Sequence, residues 1–343
     1  MRDILVIIVA RIGDTLLVTP SIHALKTTWP DARINVVAHP RQLDLLANNP
    51  DIHSLRGFTK KSAPLRGWLR CCGGVSHPMD MALVYGADKA LFAYARRMAQ
   101  GVIGFRTGDA ELDRYMDKAV EPAPEPMRAV EDRALLLGAL GVELGARRLR
   151  YTVTAEETAW ARRWLAGQGV EGPVLGIQAN SFASKAYRNM PSSMVNEVVA
   201  GLPGELADAR VILFGGPGDQ DNNAAIAALL GVRAVDISGQ VSLRQAAALM
   251  SLLDFYIGID TGPTHIAGAL GVPMVALYHC LHPGRNLMPL DHPRCAIIEH
   301  PATDGDCDAG ASISDIPAAD VIDAVARVQV LARDQVMVGE GAS

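Results

Sequence analysis

The chain has 343 residues, enough for two domains that each bury a core. With 49% hydrophobic and 20% charged residues, its balance is that of a globular protein, which excludes wholesale disorder, collagen and a long coiled coil. The net charge of −5 argues against a dedicated nucleic-acid binder, and no apolar stretch approaches the roughly 18 residues of a membrane span.

Aromatics are 5%, so the cores must be aliphatic. The five cysteines, Cys71, Cys72, Cys280, Cys295 and Cys307, form no CxxC pair. That spacing suggests neither a disulfide framework nor a zinc ribbon, and the expected compartment is a reducing cytoplasm. Charge is unevenly spread: residues 1–160 carry 21 Lys+Arg against 18 Asp+Glu, whereas residues 161–343 carry 11 against 19.

In chain order, Ile4–Ala10 is a β-branched apolar run of strand length, short for a signal peptide and without a cleavage site. The turn Arg11-Ile12-Gly13-Asp14 leads into a predicted helix over Thr15–Lys26, and Arg33–Ala38 is the next strand. This is the opening of a doubly wound parallel sheet. Strands follow at Met81–Tyr85 and near Val102–Phe105, then a proline-rich loop (Pro122, Pro124, Pro126) and a helix over Ala129–Leu140. The second half restarts the pattern. Its strands are Val174–Gln178, Arg210–Phe214, Val235-Asp236, Phe255–Ile259 and Met274–Leu277; its helices are Glu156–Ala166, Pro191–Leu202, Asp221–Leu230, Leu243–Leu252 and Thr264–Leu270. A helical tail over Ala318–Leu331 gives way to a flexible Gly-Glu-Gly-Ala-Ser end. The expected organisation is two α/β/α domains, residues 1–155 and 156–330, with a flexible tail at 331–343.

Two glycine-rich turns invite a dinucleotide reading, and both fail it. Arg11-Ile12-Gly13-Asp14 has one glycine where the fingerprint needs three; Gly215-Gly216-Pro217-Gly218 places a proline where a backbone amide is needed. The densest constellation is Gly258-Ile259-Asp260-Thr261-Gly262-Pro263-Thr264-His265, where a buried strand runs into a helix. Free amides at such a helix start make an anion site. The alternative is that Asp260 or Thr261 caps the helix and His265 packs inside. Asp14, after the first strand, is either a general base toward a hydroxyl or a helix cap. Lys185, in the donor-rich loop Asn180–Lys185, either neutralises a phosphate or is a solvated lysine. Two acidic strings, Asp219-Gln220-Asp221 and Asp304–Asp308, lack a full cation-loop pattern, so no metal site is expected. The segment Arg56–Arg70 carries Arg56, Lys60, Lys61, Arg66 and Arg70 without an acid, interleaved with Phe58, Leu65, Trp68 and Leu69. That composition suits either anionic lipid or a plain exposed loop.

Gly13-Asp14-Thr15-Leu16-Leu17-Val18-Thr19-Pro20, with Leu25-Lys26 and Pro30, resembles the opening of glycosyltransferase family 9, the ADP-heptose:lipopolysaccharide heptosyltransferases. Asp260–Ala267 with Gly271-Val272-Pro273 resembles that family's second hallmark, and the likeness runs over roughly residues 1–330. The resemblance implies a GT-B architecture, two Rossmann-like domains facing across a cleft, with acceptor in the first and nucleotide sugar in the second. It implies inverting transfer without a metal or other cofactor. On it, Asp14 matches the general base and Lys185 the lysine at the donor phosphates. Asn180 and Ser181 help hold the diphosphate, Thr261 and Gly262 form the diphosphate turn, and Asp260 contacts the sugar. Asp219 falls at the ribose acid, Val241 where backbone meets adenine, and His265 at the motif histidine. The family's lysine is soon followed by Trp-Pro; here Tyr187 follows and Pro191 comes later. Asp219 stands in place of a longer Glu, and Asn180 and Ser181 in place of threonines.

The expected activity is heptose transfer from ADP-heptose to an anionic lipopolysaccharide-core glycolipid, by a cytoplasmic protein in peripheral contact with the inner membrane face. The alternatives are another nucleotide sugar, a protein acceptor, an epimerase, or a sugar-nucleotide binder without catalysis.

Overall fold

In the computed structural model the described residues are 1–63 and 78–340, with side chains described through residue 331. The chain divides into two compact units, Met1–Thr152 and Val153–Ser343.

The first unit is built on six strands: β1 (Asp3–Ile8), β2 (Arg33–Ala38), β3 (Ser54–Gly57), β4 (Met79–Val84), β5 (Ala99–Phe105) and β6 (Lys118–Val120). They pair in parallel in the order β3-β2-β1-β4-β5-β6. Every residue of β1 is buried, as a central strand covered on both faces requires. Leu5, Ile7, Val84, Phe92 and Val102 share one core cluster.

The expected single helix after β1 is two. Helices span Ile12–Leu17 and Thr19–Thr28, parted at Val18, and Pro20 lies in the first turn of the second. Proline has no N–H for the helix ladder and crowds the preceding turn, so a helix begins around it rather than running through it.

The second unit repeats the plan with β7 (Val174–Gln178), β8 (Arg210–Leu213), β9 (Ala234–Asp236), β10 (Phe255–Ile259), β11 (Met274–Tyr278) and β12 (Cys295–Glu299). Their order is β12-β11-β10-β7-β8-β9, again all parallel. β7, β10 and β11 are buried throughout. The helix Gly262–Leu270 ends at Gly271, whose φ of 76° is the left-handed conformation glycine adopts without a Cβ penalty.

In each sheet the strand order reverses once, between β1 and β4 and between β7 and β10. The crevice beyond the carboxyl ends of the strands at that point is where open α/β sheets take ligands.

The last helix runs Ala318–Glu340. Ala332–Val338 contains no glycine or proline, so nothing in that stretch stops a helix.

Candidate active site

Around the β7/β10 reversal, two loops bring polar side chains together. The first follows β7. Asn180 and Ser181 are buried, and the chain then turns through a 3₁₀ segment, Ala183–Arg188, to Pro191 ahead of the helix Ser192–Ala200. The second follows β10, where Asp260 is buried and Thr261 precedes the helix Gly262–Leu270. Thr261 makes no side-chain cap bond to that helix. Its hydroxyl donates to the Ile259 carbonyl at 3.3 Å instead. The first-turn amides of a helix lie ahead of its hydrogen-bond ladder, so Gly262 and Thr264 can meet an anion while Pro263 has no N–H to leave unpaired.

The cation that joins the two loops is Arg188, which the sequence reading did not single out. It is buried, pairs through Nη1 with the Asp260 carboxylate, and donates from Nη2 to Ser181 Oγ at 2.9 Å. Asp260 Oδ1 lies 3.9 Å from His265 Nε2, and His265 is itself buried. Lys185, three residues earlier, is half-buried, with Nζ 3.3 Å from His282 Nε2. The Tyr187 hydroxyl is also 3.3 Å from that nitrogen. Burial lowers the His282 pKa, and the Lys185 charge lowers it further. His282 carried no signal in the sequence. It lies beyond β11, and only the parallel β10–β11 pairing brings it beside the loop after β7.

Asn180 is less available than the resemblance implies. Its Nδ2 donates to Asn223 Oδ1 at 2.7 Å and its Oδ1 accepts from Asn222, so both ends of the amide are engaged by the helix Gln220–Leu230. Asp219 accepts from the Gly216 amide at 2.8 Å and closes the Gly215–Gly218 turn. Val241 is half-buried in the turn before the helix Leu243–Met250.

In the first unit Asp14 lies inside the first turn of the helix Ile12–Leu17, not ahead of a helix starting at Thr15. The position preceding that helix is Arg11, so Asp14 is not its cap. The Asp14 side chain is 42% exposed, with Oδ1 3.3 Å from Arg133 Nη2. It stands beyond β1, beside the reversal of the first sheet.

The basic segment is not the uniform loop its composition suggests. Arg56 lies on the edge strand β3, and Phe58 is buried in the core, with its ring 4.6 Å from that of Tyr94. Lys60 is 3.4 Å from Asp88, and Lys61 is exposed. Arg66, Arg70, Leu65, Trp68 and Leu69 lie outside the described residues, as do Cys71 and Cys72.

The cysteine reading needs one correction: Cys280 and Cys307 are joined by a disulfide, with Cα atoms 5.9 Å apart. Their distance in sequence hides the pairing; it forms because β11 and β12 are neighbours, so the loops that follow them meet. His279 lies against the pair, and these three are the metal-capable group among the described residues. Their donor atoms are already engaged: the sulfurs bond each other, His279 Nε2 lies 3.0 Å from the Ala311 carbonyl, and Nδ1 accepts from the Leu281 amide at 3.2 Å.

Among the described residues, no helix is long and apolar enough to cross a membrane. Residues 90–300 match the model of glycosyltransferase family 9 (heptosyltransferase). A lipopolysaccharide heptosyltransferase 3 of Escherichia coli is 25% identical over 279 residues, which cover 78% of this chain and 80% of that protein. Among solved structures, a family 9 glycosyl transferase from Veillonella parvula superposes with a TM-score of 0.81 at 20% identity, covering 96% of this chain and 97% of the other. The ADP-heptose lipopolysaccharide heptosyltransferase II of Escherichia coli gives 0.75 at 20% identity, covering 98% and 100%. These likenesses establish the two-domain α/β GT-B fold, and the family match, spanning more than half of the sequence, makes the chain a glycosyltransferase belonging to glycosyltransferase family 9.

Proposed function

We propose that the protein transfers heptose from ADP-heptose to an anionic glycolipid of the lipopolysaccharide core, with inversion at the anomeric carbon. The observation that carries this reading is the pair of loops at the β7/β10 reversal. There a helix start, a buried guanidinium and a lysine are gathered on the edge where a parallel sheet takes its ligand. A nucleoside diphosphate is the ligand class that such an arrangement suits. The similar heptosyltransferases support ADP-heptose as the donor and a lipopolysaccharide core as the acceptor class.

In this reading the acceptor hydroxyl gives its proton to Asp14 as its oxygen bonds to the anomeric carbon. The bond from that carbon to the phosphate oxygen breaks, and its electron pair leaves with ADP. Lys185 and the amides at Thr261-Gly262 meet the charge that develops there. Asp260 takes a sugar hydroxyl, Asp219 the ribose, and the backbone at Val241 the adenine. Transfer proceeds without a divalent cation or other cofactor. Peripheral contact with the cytoplasmic membrane face, through the more basic first half, completes the reading.

The test is incubation with ADP-heptose and a panel of truncated lipopolysaccharide cores, followed by mass spectrometry. One added heptose mass on one member of the panel is expected. Unchanged acceptor masses throughout, with ADP-heptose still bound, would leave a binding protein or an enzyme with another acceptor.

A further inference from the structure

We propose that Arg188 is a positioning residue for the donor: it sets Ser181 to donate toward the phosphates and leaves one oxygen of Asp260 to accept a sugar hydroxyl. The inference rests on the donor reading given above and adds a residue to it.

The first argument is hydrogen-bond direction. A guanidinium nitrogen donates and cannot accept, so Ser181 Oγ accepts the bond from Arg188 Nη2 at 2.9 Å. The serine therefore keeps its own O–H to donate elsewhere. Its main chain is fixed as well, because the Ser181 amide donates to Asn189 Oδ1 at 2.8 Å. A hydroxyl held in this way is a donor waiting for an acceptor, and a phosphate oxygen is one.

The second argument is what remains of Asp260. Oδ2 is taken by Arg188 Nη1, whereas Oδ1 is 3.9 Å from His265 Nε2, beyond hydrogen-bond length. One carboxylate oxygen is thus spent on orientation and the other is left to accept. Ser181 follows β7 and Asp260 follows β10, so one planar guanidinium spans both rims of the crevice. The two ends of that fork are what a lysine ammonium does not reproduce.

The third argument is energetic. The Arg188 side chain is 5% exposed, and its Nε has no hydrogen-bond partner among the described residues. A buried ion pair with an unsatisfied N–H is a poor stabiliser beside a well-packed apolar replacement. Stability alone does not account for the arrangement, whereas presetting two ligand-facing groups does.

The experiment is calorimetric titration of ADP into the full-length protein, Arg188→Ala, Arg188→Lys, Ser181→Ala and the double variants, with melting curves for each. Arg188→Ala is expected to weaken ADP binding by about tenfold, the scale of one charge-assisted hydrogen bond. Adding Ser181→Ala to it should change little, because the serine acts through the arginine and the two effects are not additive. Millimolar guanidinium should recover part of the Arg188→Ala loss, which a generally loosened fold would not allow. If Arg188→Ala is unfolded, the cycle with Arg188→Lys decides. Wild-type ADP binding with unchanged affinity in both Arg188 variants overturns this inference and leaves the donor reading intact. So do fully additive effects of the Arg188 and Ser181 substitutions. Wild-type protein that ignores ADP overturns the donor reading and this inference together.

Discussion

The Asp14 carboxylate lies 3.3 Å from the Arg133 guanidinium, across 119 residues of sequence, and Arg133 also pairs with Asp132. Arg133 is thus shared between two acids, and Asp14 holds only one of its arms. Asp14 remains 42% exposed, open to an incoming hydroxyl. Replacing Asp14 by Asn keeps the shape and removes the carboxylate proposed as the base. Turnover should fall by about a hundredfold or more, the usual contribution of a general base. ADP affinity should stay within about twofold, because the proposed mechanism gives the carboxylate to the acceptor and not to the donor. Near wild-type turnover in Asp14→Asn, measured by ADP release, would remove Asp14 from the mechanism.

Lys185 is the second point of test. Its ammonium sits 3.3 Å from His282 Nε2, in a loop that also carries Ser181 and Arg188. A lysine that neutralises phosphate should weaken ADP binding when cut to Ala, by roughly threefold to tenfold for one charge. AMP binding should change less, since it lacks the second phosphate. Equal ADP affinity in Lys185→Ala and wild type would mark a loop lysine with no part in donor binding.

Much of this was legible in advance because central parallel strands announce themselves. β2, β7 and β10 span the residues expected of them, and every one but Arg33 is buried, as strands covered on both faces are. The edge strands β3 and β6 were invisible: four and three residues long, with exposed or half-buried positions, they lack that pattern. β12 was missed for a related reason, as all five of its residues are only half-buried. The hallmark turns at Asp14 and Asp260 stood out because a strand, a turn and a helix meet there. Arg188 did not. Nothing local marks a buried arginine, and its partners Ser181 and Asp260 become neighbours only when β7 pairs with β10. The Cys280–Cys307 bond was hidden in the same way, by contacts that a linear reading does not contain.

Two histidines give the second unit a pH response. His279 and His282 both have pKa values lowered from the usual 6.5, in each case chiefly by burial. His300 and Arg188 add to the lowering at His279, and Lys185 adds to it at His282. The unfolded chain takes up these protons near pH 6.5 while the folded chain resists them. Stability from these groups is therefore present above about pH 6.5 and is lost as the pH falls toward their folded values. Melting temperatures should drop between about pH 7.5 and pH 5, and His282→Gln should flatten part of that slope. A variant slope identical to wild type would show that His282 does not contribute.

Charge stabilisation of the leaving diphosphate is assigned to cationic side chains and amides, and three acids of the two acidic strings have contacts of their own. Asp219 accepts from the Gly216 amide at 2.8 Å, Asp304 lies 3.1 Å from Arg285 Nη1, and Asp308 accepts from the Gly310 amide at 2.7 Å. These contacts hold turns and surface pairs, so Asp219, Asp304 and Asp308 each already have a partner. Transfer rates in excess chelator should lie within about twofold of those in millimolar magnesium. Activity that disappears in chelator and returns with magnesium or manganese would move the diphosphate chemistry onto a metal.

Acceptor delivery is the remaining expectation, and it concerns the first half of the chain. That half carries 21 Lys+Arg against 18 Asp+Glu, and five of those cations fall between Arg56 and Arg70. Phe58 is withdrawn from any lipid role by its place in the core, so attraction to an anionic surface would have to be mainly electrostatic. Each lysine or arginine near such a surface contributes about 1 kcal/mol, and salt screens it. Lys60 is already 3.4 Å from Asp88, a half-exposed pair that competes with headgroups, so the exposed Lys61 should carry more of the effect than Lys60. Wild-type protein should co-sediment with vesicles rich in anionic phospholipid at low salt and release as salt rises. Replacing Lys60, Lys61, Arg66 and Arg70 by Ser should lower both that binding and the rate on lipid-linked acceptor, while the rate on a delipidated core oligosaccharide stays unchanged. Wild-type protein that remains in the supernatant with anionic vesicles at low salt would make the basic segment plain surface and the acceptor's lipid irrelevant to docking.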